Sequence, residues 1–295
     1  MNIIRMTGGL GNQMFQYALY LKYKSLGIDA VFDDFTEYDP SKGNRRPIAL
    51  DVFGIDYPKA SIEQYHDFTD SYPGLMAKIK RKLKGRHNRE YFEIPHAFDP
   101  AILTKDNAYI SGFFQSEKYF SDIKEDVLRA FTFTAECEGY AEDILEDNDI
   151  LLSDISSENS ISIHIRRGDY LAVSEVFGGI CTDEYYDNAV RMINDRVKAP
   201  AFYIFTNDVE YARDWAKSYT ERGVKMKIVT GTTEATGYLD MYLMSLCHHH
   251  IIANSSFSWW GAYLNKKEDS IVIAPNRWVN NLDDQDIYTE DMIRL

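Results

Sequence analysis

The chain has 295 residues, two average domains' worth, and a formal net charge of −14. That balance excludes a general nucleic-acid binder, because phosphate backbones are held by an excess of Lys and Arg. No apolar run approaches the roughly 20 residues a membrane span needs, and Cys137, Cys181 and Cys247 are odd in number and far apart, so no disulfide framework is implied and a reducing compartment fits.

The opening "MNIIRMTGGL" reads straight into a strand (Asn2–Met6) and a glycine turn, with no charged n-region before an apolar one. This sets the expectation of a cytoplasmic protein with peripheral membrane contact at most. "GGLGNQ" (Gly8–Gln13) precedes a helix-period run over Met14–Leu26 that closes on Gly27, and "IDAVFDD" is the next strand. A β-turn-α-β opening starts an α/β layer fold. Residues 35–100 show no sustained period. Ala108–Phe114 reads as a strand and Tyr119–Ala130 as a helix. The Ser-, Asp- and Asn-rich Leu151–Ser160 reads as a linker, which sets domains at 1–155 and 156–295. Beyond it, strands are expected at Ser160–Ile165, Phe202–Phe205, Met226–Val229, His250–Ala253 and Ser270–Ala274. Helices are expected at Asp183–Val197, Val209–Tyr219, Ala235–Cys247 and Ser258–Leu264. Strands alternating with helices imply a parallel, doubly wound sheet, in which ligands lie outside the carboxyl ends of the strands.

The chemistry-bearing residues fall at those ends. In "SISIHIRRGDY" the isoleucines alternate on one face, while Ser162, His164 and Arg166 take the other and Arg167 stands at the strand end. A guanidinium is always charged and its planar fork fits two phosphate oxygens at once, so two of them could hold a diphosphate without a metal. The alternative is that they pair with Asp169 and other acids to join the domains. "NSSFSWWG" (Asn254–Gly261) follows a strand and opens a helix, whose unpaired N–H groups and partial positive charge suit an anion. Capping by one serine is expected there, with Ser255 and Ser256 offering hydroxyls and Trp259 and Trp260 turned to the core. Asp208, at the end of "FYIFTND", could accept two hydrogen bonds from a guanine edge or simply cap the next helix. "GGLGNQ" resembles G-x-G-x-x-G, but Met14 replaces the third glycine and no Lys-Ser/Thr follows, which weakens NAD and ATP readings. What remains is a turn bringing Asn12 and Gln13 to the cleft, or a turn needed only for topology.

His248–His250 lack an acid or cysteine at ligand spacing, and two D-x-D matches carry no weight in so Asp-rich a chain, so no metal site is expected. "KIKRKLKGRHNR" (Lys78–Arg89) is a basic island; it could face anionic lipid headgroups or be a solvated loop or helix.

"GGLGNQMFQYA", "ISGFFQSEKYF", "HIRRGDYL", "FYIFTND" and "DMYLMSLCHHHIIANSSFSWWGAYLN", in that order, resemble the α-1,2-fucosyltransferases of glycosyltransferase family 11. The resemblance implies a GT-B fold of two Rossmann-like doubly wound domains facing a cleft, an N-terminal acceptor-side domain and a C-terminal GDP-sugar-binding domain. It implies inverting transfer of L-fucose from GDP-fucose to the 2-hydroxyl of a terminal β-galactoside, with no metal or other cofactor. Arg166 would then be the chief phosphate ligand, with Arg167 supporting the site's geometry. His164 and Asp208 would lie near guanine, Asn254, Ser255, Ser256 and Phe257 around the phosphates, and the turn with Gly9, Gly11, Asn12 and Gln13 facing the donor. His164 and Asp169 are the nearest candidates for a base. The chain reads as a bacterial member acting on a galactose-terminated surface-polysaccharide precursor. The alternatives are a related transferase using another nucleotide sugar, and a GDP-sugar-binding protein without turnover.

Overall fold

The computed structural model describes every residue except 39–46, 95–96, 169, 171–172, 281 and 283–284. The chain divides into two compact units, Met1–Phe131 and Thr132–Leu295.

The N-terminal unit is built on a four-stranded, all-parallel sheet of β1 (Asn2–Arg5), β2 (Ala30–Asp33), β3 (Glu90–Phe92) and β4 (Tyr109–Ser111), in the order β2-β1-β4-β3. Helix α1 (Leu10–Ser25) buries Met14, Phe15, Ala18 and Leu19 of the helix-period run read from the sequence; Leu21 of that run is only partly buried, and Tyr23 is buried in addition. It stops at Gly27, which takes φ +71°. Ile28 N–H then bonds Tyr23 C=O and Gly27 N–H bonds Lys24 C=O. This paired closure needs a left-handed residue that only glycine adopts cheaply. Residues 35–100 resist reading because their elements are short: 3₁₀ turns at Leu50–Phe53 and Pro100–Thr104, helices α2 (Ile62–Thr69) and α3 (Leu75–Lys84), and the three-residue β3. The expected helix over Tyr119–Ala130 is instead two 3₁₀ turns followed by α4 (Lys124–Ala130).

The C-terminal unit carries a six-stranded parallel sheet, β10-β9-β8-β5-β6-β7, with β5 Ser160–Ile165, β6 Ala201–Thr206, β7 Lys225–Ile228, β8 His249–Ile251, β9 Val272–Ala274 and β10 Met292–Arg294. Its helices are α5 (Ala135–Asp147), α6 (Leu152–Ile155), α7 (Ser174–Phe177), α8 (Asp183–Asn194), α9 (Val209–Thr220), α10 (Tyr238–Leu246) and α11 (Ser256–Tyr263). β5 is buried along its whole length. Ile161, Ile163 and Ile165 pack on Tyr186, Ala189 and Ile193 of α8 and on Ala212 and Trp215 of α9. Each of these isoleucines contributes about 1.5–3 kcal/mol by leaving water. α10 and α11 pack closely enough that a Cβ at Gly261 would meet Met244 at 3.1 Å.

The division differs from the expected one at 155/156. The acidic helix α5 belongs to the C-terminal unit: Phe133, just before it, meets Tyr242 of α10 edge-on at 5.1 Å, and Asn148, just after it, donates to Thr230 C=O at 2.8 Å. The polar stretch expected as a linker is part of that same unit, with Ile155 of α6 fully buried. No described helix is long and apolar enough to cross a membrane.

Candidate active site

In the C-terminal unit, adjacent strands bring the sequence-predicted residues to one sheet edge. β5 pairs with β6 on one side and β8 on the other, so 166–167, 207–208 and 254–256 leave neighbouring strands spaced about 4.8 Å apart.

The two arginines separate in role. Arg167 is pinned: its Nε lies 3.3 Å from Asp208 Oδ2, its guanidinium sits 3.8 Å over the Tyr211 ring, and its backbone N–H donates to Asn207 Oδ1 at 3.0 Å. It ties the end of β5 to the end of β6. Gly168 leaves room beside this tie: a Cβ there would stand 2.4 Å from Asn207 Nδ2 and force that amide to shift. Arg166 continues the His164 face instead, and its guanidinium lies 5.7 Å from the centroid of Tyr170. Tyr170 stacks on Phe177 at 4.4 Å and donates its hydroxyl to Asn254 C=O at 2.9 Å. It therefore bridges Arg166 to the turn after β8. His164 is buried, with its ring 5.7 Å from that of Phe257 and its C=O accepting from Tyr186 at 2.9 Å.

The turn after β8 is held from below. Asn254 is buried; its Nδ2 donates to Trp278 C=O at 2.9 Å and its Oδ1 accepts from Cys181 Sγ at 3.4 Å. Burial pushes the Cys181 thiol up to about 12, so it stays protonated as that donor. Ser255 occupies the N-cap position of α11, but its hydroxyl makes no capping bond. The expected cap from this serine is absent: the Ser255 C=O takes Trp259 N–H at 3.0 Å, but its hydroxyl accepts from none of the first-turn amides. Ser256 opens the helix beside Phe257, and Trp259 and Trp260 are core residues, fully buried. At Asp208 the capping alternative holds: Oδ1 accepts from Tyr211 N–H at 3.1 Å while Oδ2 faces Arg167. A carboxylate has about four lone-pair positions, so a base edge would have to use those that remain. Asp169 lies outside the described residues.

In the N-terminal unit the glycine turn is more internal than expected. Gly8, rather than Gly9 or Gly11, takes the left-handed conformation at φ +80°, and a Cβ there would meet Asn12 Nδ2 at 2.4 Å. Gly9 is the extended N-cap of α1, and Gly11 is buried within that helix. Gln13 does not present its amide to a ligand: it is 0% exposed, donates to Gly8 C=O, Tyr38 Oη and Pro47 C=O, and accepts from Ala49 N–H at 3.0 Å. Its length lets it pin the segment around 47–49 to the turn. Asn12 Oδ1 accepts from Gln115 at 2.7 Å, and Gln16 donates to Gly112 C=O at 2.9 Å, which joins the turn to the loop after β4.

Two carboxyl groups escaped the sequence reading. Glu93, just past β3, accepts the N–H groups of Phe113 and Phe114 at 2.7 and 2.9 Å, yet burial pushes it up to about 7. Asp240, in the first turn of α10, is likewise pushed up to about 7 by burial, opposed by a hydrogen bond from Thr232. No local pattern marks either one, because their burial is tertiary. The histidine run is structural. Asn265 donates to His250 Nε2 at 2.7 Å, so Nδ1–H points to Ser162 Oγ, and burial lowers this ring's pKa to about 3. His248 pairs with Asp269 at 2.7 Å, and His249 Nδ1 accepts from Ile271 N–H. Among the described residues no group of three or more His, Cys, Asp or Glu is placed to hold a metal ion.

Comparison with known proteins places this arrangement. The chain is 32% identical over 287 residues to an alpha-1,2-colitosyltransferase of Escherichia coli, covering 94% of this chain and 91% of that one. It is 29% identical to the O-antigen biosynthesis glycosyltransferase WbnK of the same species, covering 92% and 93%. Human galactoside alpha-(1,2)-fucosyltransferase 1 matches at 28% over 157 residues, 52% of this chain and 42% of the human protein. Among solved structures, an arginine-to-lysine mutant of Arabidopsis thaliana FUT1 in complex with GDP superposes with a TM-score of 0.50 at 13% identity, covering 92% of this chain and 70% of that one. The fold is thus that of the GT-B glycosyltransferases, two α/β units with parallel sheets. The family model of glycosyl transferase family 11 matches residues 75–294, and with that match over most of its length the chain belongs to glycosyltransferase family 11.

Proposed function

We propose that the protein transfers L-fucose from GDP-fucose to the 2-hydroxyl of a terminal β-galactoside, with inversion and without a metal ion. The observation that carries this reading is Arg166 leaving β5 beside the turn that opens α11, the two joined through Tyr170. A fixed positive fork and a helix N-terminus not capped by Ser255 suit the two phosphates of a nucleoside diphosphate.

The chemistry follows from where charge develops. As the bond from the sugar's anomeric carbon to the β-phosphate oxygen breaks, negative charge grows on that oxygen. Donors already held there stabilise the transition state more than the ground state. Arg166 and the first-turn amides of α11 supply them, and Arg167 keeps the strand ends in register through Asp208 and Tyr211. The acceptor hydroxyl attacks the opposite face of the sugar and loses its proton. His164, on the Arg166 face, is the titratable group nearest that chemistry among the described residues of β5.

A second reading is favoured by the 32% identity to a colitosyltransferase: the same site would take a colitosyl donor, which differs from fucose by the absence of one hydroxyl. Incubation with GDP-fucose or GDP-colitose and a panel of β-galactosides, with and without EDTA, separates the two. The proposal expects EDTA-resistant transfer of fucose to O2 of galactose. Transfer of colitose alone would replace it with the second reading, and nucleotide binding without turnover on any acceptor would overturn both.

A further inference from the structure

The basic island noted in the sequence is mostly a helix, and its faces are sorted in an unexpected direction. Between Lys78 and Arg89 the chain has seven cations and no acid, within a protein of net charge −14. Ten of the residues around it, Leu75–Lys84, form α3, which buries none of its side chains. Leu75, Met76, Ile79 and Leu83 are 73%, 79%, 42% and 79% exposed. At about 100° per residue these four fall within roughly a 100° arc. Lys78 and Lys82 border that arc on one side and Lys80 and Lys84 on the other, all exposed. Ala77 and Arg81, the less exposed positions, lie on the opposite face. The helix therefore turns its apolar stripe away from the protein that carries it.

The arginines explain how it is held that way. Arg81 donates to the carbonyls of Asp70 and Tyr72 at 2.9 and 3.1 Å. Arg86 donates to Thr69 C=O and pairs with Glu90, and Arg89 pairs with Asp67 at 2.6 Å while covering the Phe68 ring. These three clamp α3 and the segment after it to the end of α2. The four lysines are used differently: among the described residues none is placed in an ion pair or hydrogen bond of this kind.

We infer that α3 is an interfacial helix that docks the protein on an anionic lipid bilayer, lying in the membrane plane. The stripe of Leu75, Met76, Ile79 and Leu83 would enter the headgroup–acyl boundary, and Lys78, Lys80, Lys82 and Lys84 would reach lipid phosphates on either side. Charge complementarity selects this occupant. An apolar stripe between two rows of cations matches an apolar layer beneath anionic headgroups, and long lysine stems let the charge stay in water while the stem follows the apolar surface. The remainder of the chain is more acidic still than the total charge indicates, so it would be repelled by the same surface, and attachment would be confined to this patch.

The test is co-flotation of the full chain with vesicles of phosphatidylcholine alone or mixed with phosphatidylglycerol. The expected result is binding to the anionic vesicles only, weakened by added salt. Replacing Lys78, Lys80, Lys82 and Lys84 together by Gln should reduce partitioning by roughly fivefold per lysine, on the order of several-hundred-fold in total. Met76→Ser with Leu83→Ser should leave only a weak component that salt removes completely. All six positions are exposed, and the wild-type comparison between vesicle types needs no variant. Equal binding to both vesicle types, no binding to either, or a four-lysine variant that binds as well as wild type would overturn the inference. So would a wild-type dimer that Leu83→Ser dissolves, which would make the stripe a contact between copies.

Discussion

Two helices begin at the same edge of the C-terminal sheet and are finished in opposite ways. α9, after β6, is closed: Asp208 caps it, Arg167 holds the other carboxylate oxygen, and Tyr211 lies under the guanidinium. α11, after β8, is left without a cap from its own serine, and Arg166 approaches it through Tyr170. One strand end uses its charges to join parts of the protein. The other brings Arg166 to the turn that opens α11 through Tyr170, the arrangement proposed to take the nucleotide's phosphates. On the proposed reading, adjacent, chemically identical arginines are divided between tying strand ends together and holding the nucleotide.

The sharpest way to break that division is Arg166→Lys. An ammonium cannot reproduce the fork, so turnover should fall about 10²–10³-fold, the usual cost of losing one oxyanion donor, read as kcat on GDP-fucose. Arg167→Lys should act chiefly on thermal stability, and equal kinetic losses in the two variants would erase the distinction. Next in size is the turn after β1, which is finished internally in the manner of α9. Gln13→Ala should destabilise the protein by about 2–4 kcal/mol in urea unfolding, because several buried polar groups lose their partner at once. A loss below about 1 kcal/mol, within the range of one ordinary hydrogen bond, would return Gln13 to the role of a ligand residue.

The two caps give a smaller pair. Asp208→Ala should cost about 1–2 kcal/mol, whereas Ser255→Ala should cost less than about 0.5 kcal/mol, since only the first removes a capping bond. Equal losses would mean that α11 is capped after all. The smallest effect concerns α10, whose first turn carries Asp240. Its carboxyl has a folded-state pKa of about 7 against 3.8 in the open chain. It binds its proton more tightly when folded, so its contribution to stability is full in acid and falls as pH rises towards about 7. Wild type should gain melting temperature on going from pH 8 to pH 6, and Asp240→Asn should lose part of that gain. An identical pH slope in both proteins would show that this carboxyl is ordinary.

The same contrast explains what could be read from the residues alone. β5 was legible from its alternating isoleucines, β6 and β8 from the apolar runs FYIF and HIIA, and the arginines because charge at the end of a buried strand is unusual. β10 and β3 were not, since each is three residues long, only partly buried and outside any longer apolar run. The boundary after Phe131 was hidden because Phe133 and Asn148 bind α5 to its unit through distant partners, Tyr242 and Thr230. At the site, "NSSF" placed a serine at the N-cap position correctly but could not show that its hydroxyl makes no capping bond. Glu93 and Asp240 owe their shifted protonation to burial by residues far away in the chain.

The proposed site stands on Arg166 holding the second phosphate of the nucleotide. The direct measurement is calorimetric titration of GDP and of GMP into wild type and Arg166→Lys, with EDTA present throughout. The variant should lose about tenfold or more in affinity for GDP, at least about 1.4 kcal/mol, while its affinity for GMP, which lacks the β-phosphate, changes little. Unchanged GDP affinity in the variant, or wild-type binding that appears only when a divalent metal replaces the chelator, would contradict it.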